Sequence, residues 1–201
     1  MTRFRFMRLT SQYLTLALSL LFLLSAGCIK KTRYEHTVDK ELAKKERNDE
    51  IFLGFHFGMP SQDFYEKCWE LNKSGLAREG ALNTTVYYEI DDLSYKSALE
   101  FYPVFKDDKI QSMTGFAHYI GWAPWNKHLW AESMIEELKT LFESWYGPGF
   151  FRIKSPGRGA AYVKIDGNRR IVLYYNRDER VEFLFSDLTN EDNILTLKSK
   201  T

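Results

Sequence analysis

The feature that most constrains the fold is an order of elements that occurs twice along the chain. In the first half, a helical pattern begins at Ser61, where the apolar residues Phe64, Cys68 and Leu71 recur at the spacing of one helix face. In the second half, a longer helical pattern covers residues 126–146. Three strand-like runs follow each helix, at residues 84–90, 97–105, 110–119, 160–165, 170–176 and 180–185.

Short polar turns separate these strands, and strands joined by such turns pair antiparallel. Along the last strand, Val181, Phe183 and Phe185 alternate with other positions, which indicates one buried and one partly solvated face. We therefore predict an α+β fold of two αβββ units, with two helices on one face of an antiparallel sheet of about six strands. The two units would be an internal duplication of residues 51–120 and 121–190. A chance likeness in element order stays open.

The N-terminus has the three-part order of an export signal. Residues 1–8 carry three arginines and no acid, an apolar run extends from Tyr13 to Leu24, and small residues follow at 25–27. The apolar run has about a dozen residues, whereas a helix that crosses a bilayer needs about 20. We therefore predict that residues 1–27 are a signal peptide that is removed.

The segment from Leu24 to Cys28 resembles the lipobox of bacterial lipoproteins, in which small residues precede a lipidated cysteine. The resemblance implies a diacylglycerol on the Cys28 sulfur, with acyl chains such as palmitate that anchor the mature protein in a membrane. Ile29 follows the cysteine, where an aspartate would resemble an inner-membrane retention signal. The sequence therefore favours the outer membrane of the cell envelope. The alternative is an ordinary signal peptide with an incidental cysteine.

Composition argues against a nucleic-acid partner and against an intramolecular disulfide. The formal net charge is +1, and residues 1–27 contain three arginines and no acid, so the mature chain is slightly acidic. A nucleic-acid partner would call for a basic patch, so we expect none. With Cys28 acylated, Cys68 is the only remaining cysteine, and an intramolecular disulfide is excluded although the envelope would permit one.

Three regions make up the mature chain. Residues 28–50 are predicted to be the lipidated cysteine and a charged tether, because they hold too few large apolar side chains to order themselves. Residues 51–190 are predicted to form the α+β domain. Residues 191–201 are predicted to be a polar tail.

No spacing in the chain is typical of a catalytic or metal site. The four histidines do not form a zinc-binding motif, and neither a P-loop nor a Gly-x-Ser-x-Gly elbow occurs. The acidic pairs Asp91-Asp92 and Asp107-Asp108 are ordinary turn residues. We therefore expect no catalytic residue, no metal and no cofactor, and a protein that is not an enzyme.

The joint between the halves is the best candidate for partner binding. Tyr119, Trp122 and Trp125 lie within eight residues of loop-like sequence, 119–126, and exposed aromatic side chains are favoured at protein interfaces. In one alternative, the tryptophans fold back onto the core. In another, they stack on the rings of a glycan.

The export signal, the charged spacer, Gly58-Met59-Pro60 and Tyr146-Gly147-Pro148 together resemble a class of small envelope lipoproteins. This class includes the outer-membrane barrel-assembly accessory lipoproteins and the wider fold class of β-lactamase inhibitor protein. The resemblance implies a non-catalytic domain that binds another envelope protein through its sheet or a helix–sheet edge. The alternative function is a periplasmic lipoprotein that binds a small ligand or a glycan.

Overall fold

The computed structural model describes residues 31–80, 84–154 and 158–190. Cys28, the predicted signal peptide and the predicted tail lie outside these residues. The chain forms two units, Met1–Glu35 and His36–Thr201. In the described part of the first unit, Thr32 and Glu35 form a capping box, because the Thr32 backbone N–H donates to the Glu35 carboxylate at 2.8 Å and the Glu35 N–H donates to Thr32 Oγ1 at 3.2 Å.

The described residues contain three α-helices and eight β-strands. The helices are α1 (Arg33–Ala43), α2 (Ser61–Lys73) and α3 (Ala131–Tyr146), and a short 3₁₀ helix covers Lys127–Leu129. The strands are β1 (Ala77–Glu79), β2 (Val86–Ile90), β3 (Ser97–Lys106), β4 (Lys109–Tyr119), β5 (Phe151–Arg152), β6 (Arg158–Asp166), β7 (Arg169–Arg177) and β8 (Arg180–Asp187). Within these ranges, no helix is long and apolar enough to cross a membrane.

The predicted fold of two αβββ units, with two helices on a sheet of about six strands, is wrong. All eight strands belong to one antiparallel sheet in the order β1-β2-β3-β4-β8-β7-β6-β5. The sequence interpretation missed β1 and β5, which have three and two residues. It treated the charged segment as a tether in which a short solvated helix near residues 41–47 was an alternative, and α1 lies at Arg33–Ala43. Strands this short show no periodicity, and their pairing with β2 and β6 defines them.

The sheet consists of two four-stranded meanders that meet at β4 and β8. At this seam, Met113 pairs with Phe185 and Gly115 with Phe183. A β-carbon on Gly115 would lie 2.4 Å from the Phe183 ring, so only glycine leaves room for this aromatic side chain. A helix precedes each meander in the chain, α2 before the first and α3 before the second.

The main core lies between one face of the sheet and two other elements, which are the segment that precedes α2 and the helix α3. Phe52 packs edge-on against Phe101, with ring centroids 4.7 Å apart, and Phe142 of α3 lies 5.8 Å from Phe185. Phe55, on the same segment as Phe52, is fully buried. The segment that leads into α2 is therefore part of the core and not a loop over it.

The long helix begins later than the sequence predicts. The pattern indicates a helix from residue 126, but α3 begins at Ala131. Trp130 has an extended backbone, with φ −85° and ψ 156°, and it separates α3 from the 3₁₀ helix. The joint between the halves therefore extends to Trp130, and it is longer than the sequence indicates.

Candidate partner-binding site

Three loops meet at one end of the sheet, which we call the aromatic end. They are the β2–β3 loop (91–96), the joint between β4 and α3 (120–130) and the β7–β8 turn (178–179). The Ile120 N–H donates to the Lys96 carbonyl at 2.8 Å, and the Ala131 N–H donates to the Asp178 carbonyl at 2.8 Å. Backbone hydrogen bonds therefore link the joint to both of the other loops.

Trp122 is half-buried and fixes the joint to the β7–β8 turn. Its ring packs against the hydrophobic core, and its indole Nε1–H donates to the Asp178 carbonyl at 3.2 Å. A buried indole N–H that keeps a hydrogen-bond partner holds its ring in one orientation. The side chain therefore fixes the position of the loop more than it offers a surface.

Trp125 is the most exposed large apolar side chain of those described, with 80% of its surface accessible. Its backbone is nevertheless well held. The Asn126 N–H donates to the Ala123 carbonyl at 3.0 Å, and the Leu129 N–H donates to the Asn126 carbonyl at 2.9 Å. The structure thus presents a large aromatic side chain to solvent on an ordered loop.

Tyr119 lies below the joint and is only 1% exposed. Its hydroxyl donates to the Glu137 carboxylate on α3 at 3.2 Å. Burial, followed by the charge of Glu137, raises the pKa of Tyr119 well above its ordinary value, so the phenol stays protonated. A side chain this buried offers a partner almost no surface, and Tyr119 supports the joint from beneath.

Two exposed side chains that the sequence interpretation did not single out lie on the same loops. Tyr95, on the β2–β3 loop, is 45% exposed, and its ring centroid lies 5.7 Å from that of Tyr119. Ile120 is exposed at the start of the joint. An aromatic residue within a polar turn is the only sequence signal for Tyr95, and its proximity to the joint depends on the tertiary fold.

A second apolar surface lies where α2 borders β1, the edge strand of the first meander. Trp69 and Leu76 are exposed there, beside a cavity of about 600 Å³ lined in part by Cys68 and Val86. Burial raises the pKa of the Cys68 thiol to about 11, so at neutral pH it is protonated and a weak nucleophile.

Among the residues that the structure describes, no group of three or more histidine, cysteine or acidic side chains is placed to hold a metal ion. His118 lies on the sheet face opposite the main core, with its ring 5.8 Å from that of Phe116, and burial lowers its pKa. Its neutral imidazole has aromatic neighbours on that face.

The fold and site together define an eight-stranded antiparallel sheet with an exposed tryptophan on an ordered loop at one end. Comparison of the chain with protein-family models, curated proteins and solved structures found no match. The arguments about function therefore rest on the chain's own residues.

Proposed function

We propose that this protein is a lipid-anchored, non-catalytic interaction module of the bacterial envelope, and that Trp125 is the centre of its contact with a protein partner. The observation that carries the proposal is the exposure of Trp125 on the ordered joint. Water surrounds most of its indole in the free protein. Burying the ring against a partner would remove that apolar surface from water.

The energetics of interfaces support this role. A tryptophan buries roughly 150–250 Å² in a contact, and interfacial tryptophans are frequent hot spots whose loss costs about 2 kcal/mol or more. Because Trp122 and the backbone hydrogen bonds of the joint hold the loop before binding, less conformational entropy is lost on association. Tyr95 and Ile120 extend the apolar surface around the indole.

The membrane part of the proposal rests on the sequence. The signal-like residues 1–27 and the lipobox-like segment ending at Cys28 support export and lipidation. Ile29 after the cysteine supports the outer membrane as the destination. We propose a partner that is another envelope protein.

A second candidate function is the binding of a small ligand or a glycan. One observation favours it: a cavity of about 690 Å³ whose lining includes Trp145, Tyr146 and Arg169. The Arg169 guanidinium lies 4.8 Å from the centre of the Tyr146 ring. The exposed Trp145 ring beside this cation–aromatic pair is suited to a polar ligand that also stacks. Thermal stabilisation by soluble cell-wall fragments, lost in Trp145→Ala and kept in Trp125→Ala, would favour this function.

The test of the leading proposal is photo-crosslinking in intact cells. The reactive amino acid replaces Lys127, which is exposed beside Trp125, so the indole itself stays intact. A matched control places it at Thr140, which is exposed on α3. We expect a discrete protein adduct from position 127 and none from position 140.

The same crosslink with Trp125→Ala tests the role of the indole. Loss of the adduct at unchanged protein abundance supports the proposal. An adduct that persists without Trp125, or that forms equally from position 140, would overturn Trp125 as the centre of the contact.

A further inference from the structure

The end of the sheet opposite the aromatic end holds the charged segment by a set of reciprocal hydrogen bonds. The Asn48 N–H donates to Asn168 Oδ1 at 2.6 Å, and Asn48 Nδ2 donates to Asp166 Oδ1 at 3.0 Å. Asn168 Nδ2 in turn donates to Asp49 Oδ1 at 2.9 Å. We call these four residues, Asn48, Asp49, Asp166 and Asn168, the clamp. Asn168 is 1% exposed, so its bonds are shielded from water.

Around the clamp, the backbone of the charged segment also lies close to the β6–β7 turn. Gly167, in the β6–β7 turn, has a φ of +57°, and a β-carbon there would lie 2.5 Å from the Glu46 carbonyl oxygen. The Gly167 N–H points to the Glu41 carboxylate at 3.4 Å. On the other side of the clamp, Arg169 Nη1 donates to the Glu50 carbonyl at 2.7 Å. The segment from Glu41 to Glu50 is therefore fixed to this turn at several points.

The clamp and the joint lie at opposite ends of β7. This strand has nine residues and begins at Arg169, directly after the clamp residue Asn168. It ends at Arg177, directly before Asp178, whose carbonyl accepts the Trp122 hydrogen bond. At about 3.3 Å per residue, the two ends are about 30 Å apart.

The covalent path from Cys28 enters the domain at the clamp. Residues 29–40 lie between Cys28 and Glu41. A free coil of residues 29–50 would have an end-to-end distance of about 25 Å and would leave the orientation of the domain open. Because residues 41–50 are held on the β6–β7 turn, the chain that leads from Cys28 to the strands passes through the β6–β7 end of the sheet.

We infer that the clamp makes the β6–β7 end the membrane-proximal end and presents Trp125 to a protein partner that stands away from the bilayer. This inference rests on the proposed lipid anchor at Cys28. Tryptophan is also favoured at the level of lipid headgroups. The aromatic end, however, lies about 30 Å along the strands from the clamp, where the chain that carries the lipid joins the sheet. The geometry therefore favours a protein surface over a lipid surface as the occupant.

The experiment uses the full-length lipidated protein in vesicles of phosphatidylethanolamine and phosphatidylglycerol that contain a headgroup-linked quencher. In a Cys68→Ser background, one fluorophore is attached at Thr189→Cys or at Lys127→Cys, both of which are exposed. Thr189 lies at the clamp end, next to Leu188, whose N–H donates to the Asn168 carbonyl at 2.7 Å. We expect the probe at position 189 to be quenched several-fold more than the probe at position 127.

Two variants test whether the clamp causes the orientation. Asn48→Ala removes the hydrogen bonds that Asn48 Nδ2 donates to Asp166, and Gly167→Ala introduces the clash with Glu46. If circular dichroism shows a folded domain in both, the difference between the two probes should shrink. A difference that is unchanged in both folded variants would overturn the clamp as its cause.

The outcomes separate this inference from the proposed function. Equal quenching at the two positions in a vesicle-bound protein, or stronger quenching at position 127 with a blue shift of Trp125 fluorescence, would overturn the orientation and indicate a lipid-facing tryptophan. The lipid anchor is tested separately by the mass of the N-terminal peptide and by loss of vesicle binding in Cys28→Ser. An unmodified Cys28 overturns the anchor itself, and with it this inference.

Discussion

The indole of Trp122 donates a hydrogen bond to the carbonyl of Asp178, 56 residues further along the chain, at 3.2 Å. This bond joins the loop between the two meanders to the turn between the last two strands. Trp125, three residues later, stays exposed on the loop that this bond holds. The two tryptophans that look alike in the sequence therefore have different roles.

Trp122→Phe removes the hydrogen bond and keeps an aromatic ring at the core. We expect the free energy of unfolding to fall by about 1–2 kcal/mol, because the Asp178 carbonyl loses its indole donor and the smaller ring leaves space. Urea unfolding followed by circular dichroism measures the change. A variant as stable as the wild type would show that the bond does not hold the joint.

Trp125→Ala should leave the free energy of unfolding within about 0.5 kcal/mol of the wild-type value, because an exposed side chain loses little on truncation. The same variant should lose the crosslink from position 127. The comparison with Trp122→Phe in one urea series is the control. A loss of stability as large as that of Trp122→Phe would show that Trp125 packs within the fold.

Gly167→Ala should destabilise the domain more than Gly121→Ala. Both glycines have positive φ, +57° and +85°, and an alanine there costs on the order of 1 kcal/mol through backbone strain. Only at position 167 would the new carbon also meet a backbone oxygen, that of Glu46, while nothing lies within 4 Å at position 121. Thermal unfolding of the two variants compares the costs. Equal costs would contradict the close approach of Glu46 to the turn.

The clamp should weaken in acid. Burial alone would raise the pKa of Asp49, but hydrogen bonds from Arg47 and Asn168 and the charge of Arg47 together hold it below the ordinary value of 3.8. A carboxylate with a depressed folded-state pKa contributes stability that is complete above its unfolded-state pKa and is lost as the pH falls through the folded-state value. We therefore expect this contribution at neutral pH to decline below a pH of about 4.

Asp49→Asn is the matched variant for this prediction. It keeps the shape of the side chain but removes the group that titrates. Urea unfolding near neutral pH and near pH 3 should show a smaller difference in stability for the variant than for the wild type. An identical difference would show that Asp49 does not contribute to the acid sensitivity.

Much of the element order could be predicted from local patterns. Each of the six predicted strands overlaps one of the longer observed strands, and the predicted first helix, beginning at Ser61, coincides with the start of α2. These elements are long enough to show a period of two or of 3.6 residues. The fold prediction failed where the elements are short, at β1 and β5, and where a charged sequence hides a helix, at α1.

The candidate site was only partly predictable for a related reason. The sequence singles out Tyr119, Trp122 and Trp125 because they cluster in a loop, but it does not show which of them is exposed. That depends on partners such as Glu137 and Asp178, which come from other elements. Tyr95 joins the same surface only because the β2–β3 loop folds beside the joint.

From the sequence alone, short-range order was enough to determine the longer strands and the start of α2, whereas the export signal that ends at Cys28 stays a prediction. The tertiary structure decided everything that depends on groups far apart in the chain. Asn48 and Asn168 are 120 residues apart, and no periodicity in either segment indicates that they bond. The physical reason is that a buried polar group requires a partner, and only the folded chain specifies which distant residue supplies it.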